Sequence, residues 1–158
     1  MKGDPKVVEQ LNKALREELL AVNQYIVHAE MSFDWGYNAR GAHIKAQAID
    51  EMKHAEALIE RLLFLETTPT MTLDALTIGD SVKKQIENDL ALEVGAVKSY
   101  NDAIRIAQEA GDNASRDLFA AHLKDEEEHV DWLEAQLSLI EQMGYERYLS
   151  QQMAGEAG

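Results

Sequence analysis

Residues 49–66 read IDEMKHAEALIERLLFLE, and this stretch decides the fold. Its apolar residues recur at steps of three and four, which is the spacing of one face of an α-helix. Glu51 occupies a position on that face where an apolar residue is expected, and His54 follows it by three residues. Side chains at this spacing project from the same side of a helix. The stretch therefore predicts a long amphipathic helix with a Glu-x-x-His pair turned toward the core.

The same pattern returns 75 positions later, where residues 125–129 read DEEEH against DEMKH at 50–54. The offset of 75 relates four pairs, namely Glu18 to Glu93, Asp50 to Asp125, Glu51 to Glu126 and His54 to His129. Solvated helix faces have no reason to repeat in register. A buried carboxylate without a partner costs several kcal/mol, so a shared cation would explain why every helical stripe carries one. The repeat predicts two hairpins around a pseudo-twofold axis, as in carboxylate-bridged di-iron and di-manganese bundles.

The rest of the chain extends this pattern to four long helices. We predict helices at about 5–34, 40–65, 81–110 and 114–143, and a short fifth helix at 145–153. The segment between the second and third helices contains Pro69 and Gly79 and has no helical stripe, and it is long enough to travel the length of a bundle. The predicted fold class is all-α: one domain over residues 1–158, a ferritin-like antiparallel four-helix bundle with a long crossover between helices 2 and 3.

Composition narrows the possible partners. The chain of 158 residues has a net charge of −14, which argues against nucleic acid because phosphate binding needs clustered Lys and Arg. It contains no cysteine, so disulfides and thiolate metal sites are excluded. The opening residues lack the apolar stretch of a signal peptide, and no run is long enough to cross a membrane. We therefore expect a cytoplasmic protein without nucleic-acid or membrane partners.

The predicted catalytic and metal-binding set has six members: Glu18, Glu51, His54, Glu93, Glu126 and His129. Glu51 and Glu126 each precede a histidine on their own helix, so they are the candidate bridges between two metal ions. Glu18 and Glu93 are then terminal ligands, and each ion receives one histidine. Mixed oxygen and nitrogen ligands suit iron or manganese.

Several neighbours of this set have two open interpretations. Asp50 and Asp125 could orient the histidines by hydrogen bonding to the ring nitrogen that is not on the metal, or they could be ordinary exposed aspartates. Tyr25 and Trp132 could donate electrons during oxidation, or they could serve aromatic packing. His122, one turn before the second motif, could be a ligand of a third site or a satisfied core histidine.

Met52 lies next to a proposed bridge, and its side chain points about a quarter turn away from the metal-facing side. Together with Ile49, Ile59 and Leu63 it forms a second apolar stripe on the helix. A helix that is apolar on two faces usually buries the second face against another subunit. Plain packing within the chain is the alternative.

At this point the chain resembles bacterioferritins over essentially its whole length. The resemblance rests on residues 1–15, 22–36, 49–66, 88–93 and 125–137. It implies that Met52 from each of two subunits binds one b-type haem across a twofold interface, and that two iron ions occupy the six-residue set. It also implies a homo-oligomeric shell, a 24-mer built from haem-bridged dimers, that stores a ferric mineral. Some members have a histidine and a glutamate where this chain has Ala46 and Gln47, so only Asp50 remains of their inner-surface iron site.

The expected function is therefore that of a ferroxidase and iron store. Fe(II) would be oxidised to Fe(III) by oxygen or peroxide, and haem would relay electrons for iron release, with a small ferredoxin as a possible reductant. A peroxide-reducing bundle, such as a rubrerythrin or a manganese catalase, is the rival enzyme class, although a cysteine-free chain lacks the extra iron module of the former. A helical interaction module without metal is the third alternative.

Overall fold

The computed structural model describes all 158 residues, and its secondary structure is entirely helical. The helices are α1 (Pro5–Asp34), α2 (Asn38–Phe64), α3 (Val82–Glu109), α4 (Asn113–Met143) and α5 (Tyr145–Ser150). The predicted all-α bundle, with four long helices, a long crossover and a short fifth helix, is confirmed. Two ends differ from the expected positions by more than one residue, since α2 begins at residue 38 and α5 ends at residue 150. None of these helices has the combination of length and apolarity that a bilayer-spanning segment requires.

Local sequence explains where the helices begin. The Asp4 carboxylate accepts hydrogen bonds from the amides of Lys6 and Val7 at the start of α1, and Pro5 occupies the first turn. Ser81 caps α3 in the same way. These side chains satisfy amide groups that have no partner inside the helix. Gly36 takes a positive φ of 85° in the turn after α1, a conformation that favours glycine and allows the chain to reverse.

The helices pair as two hairpins, α1 with α2 and α3 with α4, and the hairpins meet mainly along α1 and α3. Apolar residues fill the bundle in separate clusters toward its two ends. One cluster includes Leu11, Leu62 and Phe119, and another includes Ala29 and Ile44. Buried acidic and imidazole side chains occupy the layer between these clusters, so the polar layer lies near the middle of the bundle.

The crossover between α2 and α3 is fastened to the bundle by buried polar groups. The Thr77 amide donates to Gln24 Oε1 at 3.0 Å, and the Gly79 amide donates to His28 Nε2 at 3.0 Å. Because Nε2 accepts, the His28 proton is on Nδ1, which donates to Asp89 Oδ1 at 2.9 Å. Gln24 Nε2 donates to the same oxygen at 2.9 Å. These bonds fix the end of the crossover one helical turn from Glu93.

Candidate metal centre

The structure brings the six predicted ligand residues together in the middle of the bundle. Glu18 comes from α1 and Glu93 from α3, while α2 and α4 each supply one Glu-x-x-His pair. Five of the six are buried, and His129 is nearly so. Each helix places its acidic residue inward because the residue lies on the same stripe as the apolar core positions.

One half of the cluster surrounds His54. Its Nδ1 atom lies 3.1 Å from Glu126 Oε1 and 3.3 Å from Glu51 Oε2. Glu18 Oε1 is 3.5 Å from the same nitrogen. Glu18 and His54 are called the Glu18 half-site below.

The other half surrounds His129. Its Nδ1 atom lies 2.8 Å from Glu51 Oε1 and 3.4 Å from Glu93 Oε1. Glu126 Oε2 is 3.7 Å away. Glu93 and His129 are called the Glu93 half-site. Glu51 and Glu126 reach the imidazoles of both halves, which is the position that a bridging carboxylate requires.

Several of these atoms are buried without hydrogen-bond partners. They are Glu51 Oε1, Glu93 Oε2, Glu126 Oε1 and His129 Nδ1. Their mutual distances are short, but the angles do not suit hydrogen bonds. A buried polar atom left unpaired costs about 1–3 kcal/mol, so the arrangement calls for a further partner. The ligand atoms of each half, with the two shared glutamates, lie within 4.8 Å of one another, so the residues fit a pair of divalent cations.

The four carboxyl groups divide into two kinds. Burial raises the pKa of Glu18 well above its usual value, and the charge of Glu51 adds to the effect. Burial likewise raises the pKa of Glu93, helped by its contact with Glu126. Burial also opposes ionisation of Glu51, but contacts with Glu18 and His129 outweigh it and lower the pKa of that carboxyl. The pKa of Glu126 is lowered against burial by its contacts with Glu93 and the imidazoles.

The two histidines hold their protons strongly in the metal-free cluster. Burial would lower the pKa of His54, but the surrounding carboxylates, first that of Glu126, raise it well above the usual value. The same balance raises the pKa of His129 to about 12. These directions favour a state with protonated Glu18 and Glu93, two ionised glutamates and two imidazolium rings, and that state carries no net charge. The metal-free site is therefore compatible with burial.

Two tyrosines extend the twofold relation beyond the predicted set. Tyr25 donates a hydrogen bond to Glu93, and Tyr100 donates one to Glu18. Both are buried, and they are separated by the same 75 positions as the ligands. The sequence prediction named Tyr25 and missed Tyr100, although the offset would have found it. Each tyrosine fixes the terminal carboxylate of the opposite hairpin.

Aromatic stacking surrounds the cluster on two sides. The His122 ring stacks on His54 with centroids 4.2 Å apart, and its Nδ1 lies 3.1 Å from the Tyr100 hydroxyl. The predicted electron donor Trp132 stacks on His43 at 4.0 Å. Trp132 thus has a packing role in this structure, and its redox role stays a prediction.

The two aspartates that precede the motifs behave differently. Asp125 Oδ2 lies 2.9 Å from His54 Nε2, the ring nitrogen that faces away from the cluster, so it orients this imidazole. Asp50 instead pairs with Lys53 at 3.5 Å and forms no hydrogen bond with His129. The structure therefore places one of the two aspartates in the orienting position.

Cavities approach the cluster from opposite sides of the bundle. One, of about 260 Å³, lies between α1 and α3 and reaches Glu18, Glu93 and Glu126, with Glu17 in its wall. An ion pair between Arg16 and Asp74, 2.9 Å apart, lies at this cavity. The other, of about 300 Å³, lies between α2 and α4 and is lined by charged residues and the two ligand histidines.

The second apolar stripe of α2 lies on the outside of the chain. Met52 is 44% exposed and Ile49 is 45% exposed, and Leu63 is also exposed. No part of this chain covers the Met52 thioether, which leaves it accessible to a second molecule.

Comparison with known proteins agrees with this architecture. Residues 8–143 match the ferritin-like domain family. The chain is 46% identical to the bacterioferritin of Brucella melitensis over 149 residues, covering 94% of this chain and 92% of the relative. It is 45% identical to the bacterioferritin of Rhodobacter capsulatus over 145 residues, 91% and 90% of the two chains. A bacterial ferritin of Synechocystis is 42% identical over 156 residues, 98% of this chain and 100% of the relative. With a ferritin-like bundle, the duplicated ligand pattern and relatives of this similarity over nearly its full length, the chain belongs to the bacterioferritin family.

Proposed function

We propose that this protein oxidises Fe(II) to Fe(III) with oxygen or peroxide at the six-residue cluster and stores the ferric product inside a hollow homo-oligomeric shell, a 24-mer. The observation that carries the proposal is the set of buried, unpartnered carboxylate and imidazole atoms in the middle of the bundle. Family membership supports the storage role, since the relatives are bacterioferritins.

The residues of the cluster have different roles, which follow from their positions. Two Fe(II) ions are the substrates, one at each half-site, with Glu51 and Glu126 shared between them. Two Fe(II) ions supply two electrons, enough to reduce oxygen to hydrogen peroxide or hydrogen peroxide to two water molecules, and either reduction consumes two protons. The carboxylates neutralise the cations and can shift between one-oxygen and two-oxygen binding as the ionic charge changes. Tyr25 and Tyr100 hold the terminal carboxylates from behind.

The cavities supply a route through the bundle. We assign the opening between α1 and α3, beside Glu17, to the entry of Fe(II). The opening between α2 and α4, lined by Asp50, Asp125 and Glu128, would release the product toward the shell interior. The net charge of −14 favours the approach of cations.

The surface of α2 fits one half of a haem site. An exposed thioether on an apolar stripe could bind haem iron, and the stripe would be buried against a second copy of the chain. Met52 from each of two subunits would hold the group. Bound there, haem b would relay electrons to the stored mineral, whose reduction releases iron, and a small ferredoxin would be the electron donor.

Fe(II) oxidation in air, measured by the growth of ferric absorbance, tests the proposal. The double substitution Glu51→Ala with Glu126→Ala should abolish the fast phase, while Glu127→Ala, an exposed neighbour, should leave it unchanged. Fast oxidation in the double variant would refute the site. Turnover of peroxide without iron storage would favour a catalase. A small oligomer that binds no metal would favour a non-enzymatic helical module.

A further inference from the structure

The two half-sites are twofold mates, but their surroundings are not identical, and one difference places a further potential ligand beside only one of them. His122 on α4 corresponds, across the offset of 75, to Gln47 on α2. Both side chains are buried, and each lies one turn before the bridging glutamate of its own helix. The Glu18 half-site thus has an additional imidazole beside it where the Glu93 half-site has an amide.

The contacts of His122 place its ring at the Glu18 half-site. The ring is only 5% exposed and stacks on His54, with 25° between the ring planes. Potential ligand atoms of Glu18, His54 and His122 lie within 4.8 Å of one another. Ligand atoms held about 2.1 Å from one divalent ion lie roughly 3.0 Å apart when adjacent and roughly 4.2 Å apart when opposed, so the widest of these separations must shorten when the ion binds.

The hydrogen-bond partners of His122 favour one tautomer of its ring. The Tyr100 hydroxyl has one proton and donates it to Glu18, so its oxygen accepts from His122 Nδ1 at 3.1 Å. The proton of the neutral ring is then on Nδ1, and Nε2 keeps an unshared electron pair. A neutral imidazole nitrogen is the form that binds metal.

We propose that His122 is an additional nitrogen ligand for a divalent cation at the Glu18 half-site, so that this half-site binds the first ion and binds it more tightly than the Glu93 half-site does. This inference rests on the proposed di-metal centre. It changes the description of that centre, because the two positions, although related by the repeat, are chemically unequal.

Metal titration of the assembled, metal-free protein tests the proposal without reference to iron oxidation. Zn(II) is added stepwise in a calorimeter, and Co(II) is added in parallel to follow the visible absorption of the bound ion. His122→Gln is the matched variant because it copies the twofold mate and keeps an N–H donor for Tyr100. It should weaken the tighter binding step at least tenfold, roughly the least effect of losing even an outer-shell partner. It should also change the Co(II) spectrum of the first equivalent.

The reciprocal substitution, Gln47→His, keeps the test decisive if His122→Gln does not assemble. It should strengthen the second binding step and leave the first unchanged. Two ions repel each other, so unequal steps in the parent protein are expected in any case, and the comparison with the variants carries the result. Binding steps and Co(II) spectra unaffected by either variant would overturn the role of His122 and leave the di-metal centre standing. No binding of either metal by the parent protein would overturn both.

Discussion

Loading the site with metal should expel protons, and their number follows from the structure. The raised pKa values favour protonation of Glu18, Glu93, His54 and His129 in the metal-free cluster. All four groups must lose a proton to bind a cation. We expect about four protons released for each pair of divalent ions, two from the glutamic acids and two from the imidazolium rings. The charge of two divalent ions then replaces the charge of the protons, and the buried site stays neutral.

The release of protons sets the pH dependence of metal binding. Protons and cations compete for the same atoms, so affinity falls as pH falls. With about four protons displaced, the product of the two binding constants should fall by about four powers of ten for each pH unit near neutrality. Titration with Zn(II) in buffers of different ionisation enthalpy measures the number directly, because the apparent heat changes in proportion to the protons taken up by the buffer.

Substitution separates the two sources of protons. The double variant Glu18→Gln with Glu93→Gln keeps two oxygen ligands but cannot release the glutamic acid protons. At saturating zinc it should release about two protons for each pair of ions. Release of the same number of protons by the parent protein and by the double variant would show that the terminal glutamates are already ionised, and the neutral metal-free cluster would then be wrong.

Three further substitutions test separate parts of the structure. Met52→Leu should remove haem absorbance from the assembled protein without changing its particle size, and retained absorbance would refute the haem role of this residue. Tyr100→Phe leaves Glu18 and His122 without a buried partner, so denaturant unfolding of the metal-free protein should lose about 1–3 kcal/mol, whereas an unchanged midpoint would contradict the contact. Asp112→Asn should cost about 1 kcal/mol at neutral pH, because asparagine can still cap α4 but lacks the carboxylate charge that pairs with Arg61. Burial opposes ionisation of Asp112, but contacts with Ser115 and Arg61 outweigh it and lower the pKa of this carboxyl. The ionised carboxylate therefore contributes fully to the free energy of unfolding above the usual pKa of 3.8, and this contribution is lost as pH falls through the pKa of the folded protein. The cost of Asp112→Asn should therefore vanish in acid, and a cost independent of pH would count against the ion pair.

The bundle could be predicted from the sequence because apolar residues recur periodically along each long helix. Each long helix has a stripe, and the only long segment without a stripe is the crossover. The same periodicity located the acidic residues that lie between the apolar clusters. Tyr100 also lies on a stripe, where an aromatic residue is expected to pack, so only the offset from Tyr25 would have marked it as a polar contact.

Contacts made across the bundle by single residues were less predictable. Asp50 and Asp125 are equivalent in the repeat, but Asp50 has Lys53 three residues later, where Asp125 has Glu128. The lysine attracts Asp50 along its own helix, and the acidic residue leaves Asp125 free to reach His54. The pairing of His28 with Asp89 has no counterpart in the repeat, because it depends on where the crossover ends.

The two openings that face the cluster have a consequence for direction. The rotation that exchanges α1 with α3, and α2 with α4, maps each opening onto itself, so the axis runs from one opening to the other. A twofold axis is polar: its two ends are never exchanged by the rotation. Duplication of a hairpin therefore makes the two half-sites alike, but it leaves the opening between α1 and α3 different from the opening between α2 and α4. The two openings are therefore structurally different ends of one axis, and the orientation of each subunit in an assembly would decide which of them faces the interior.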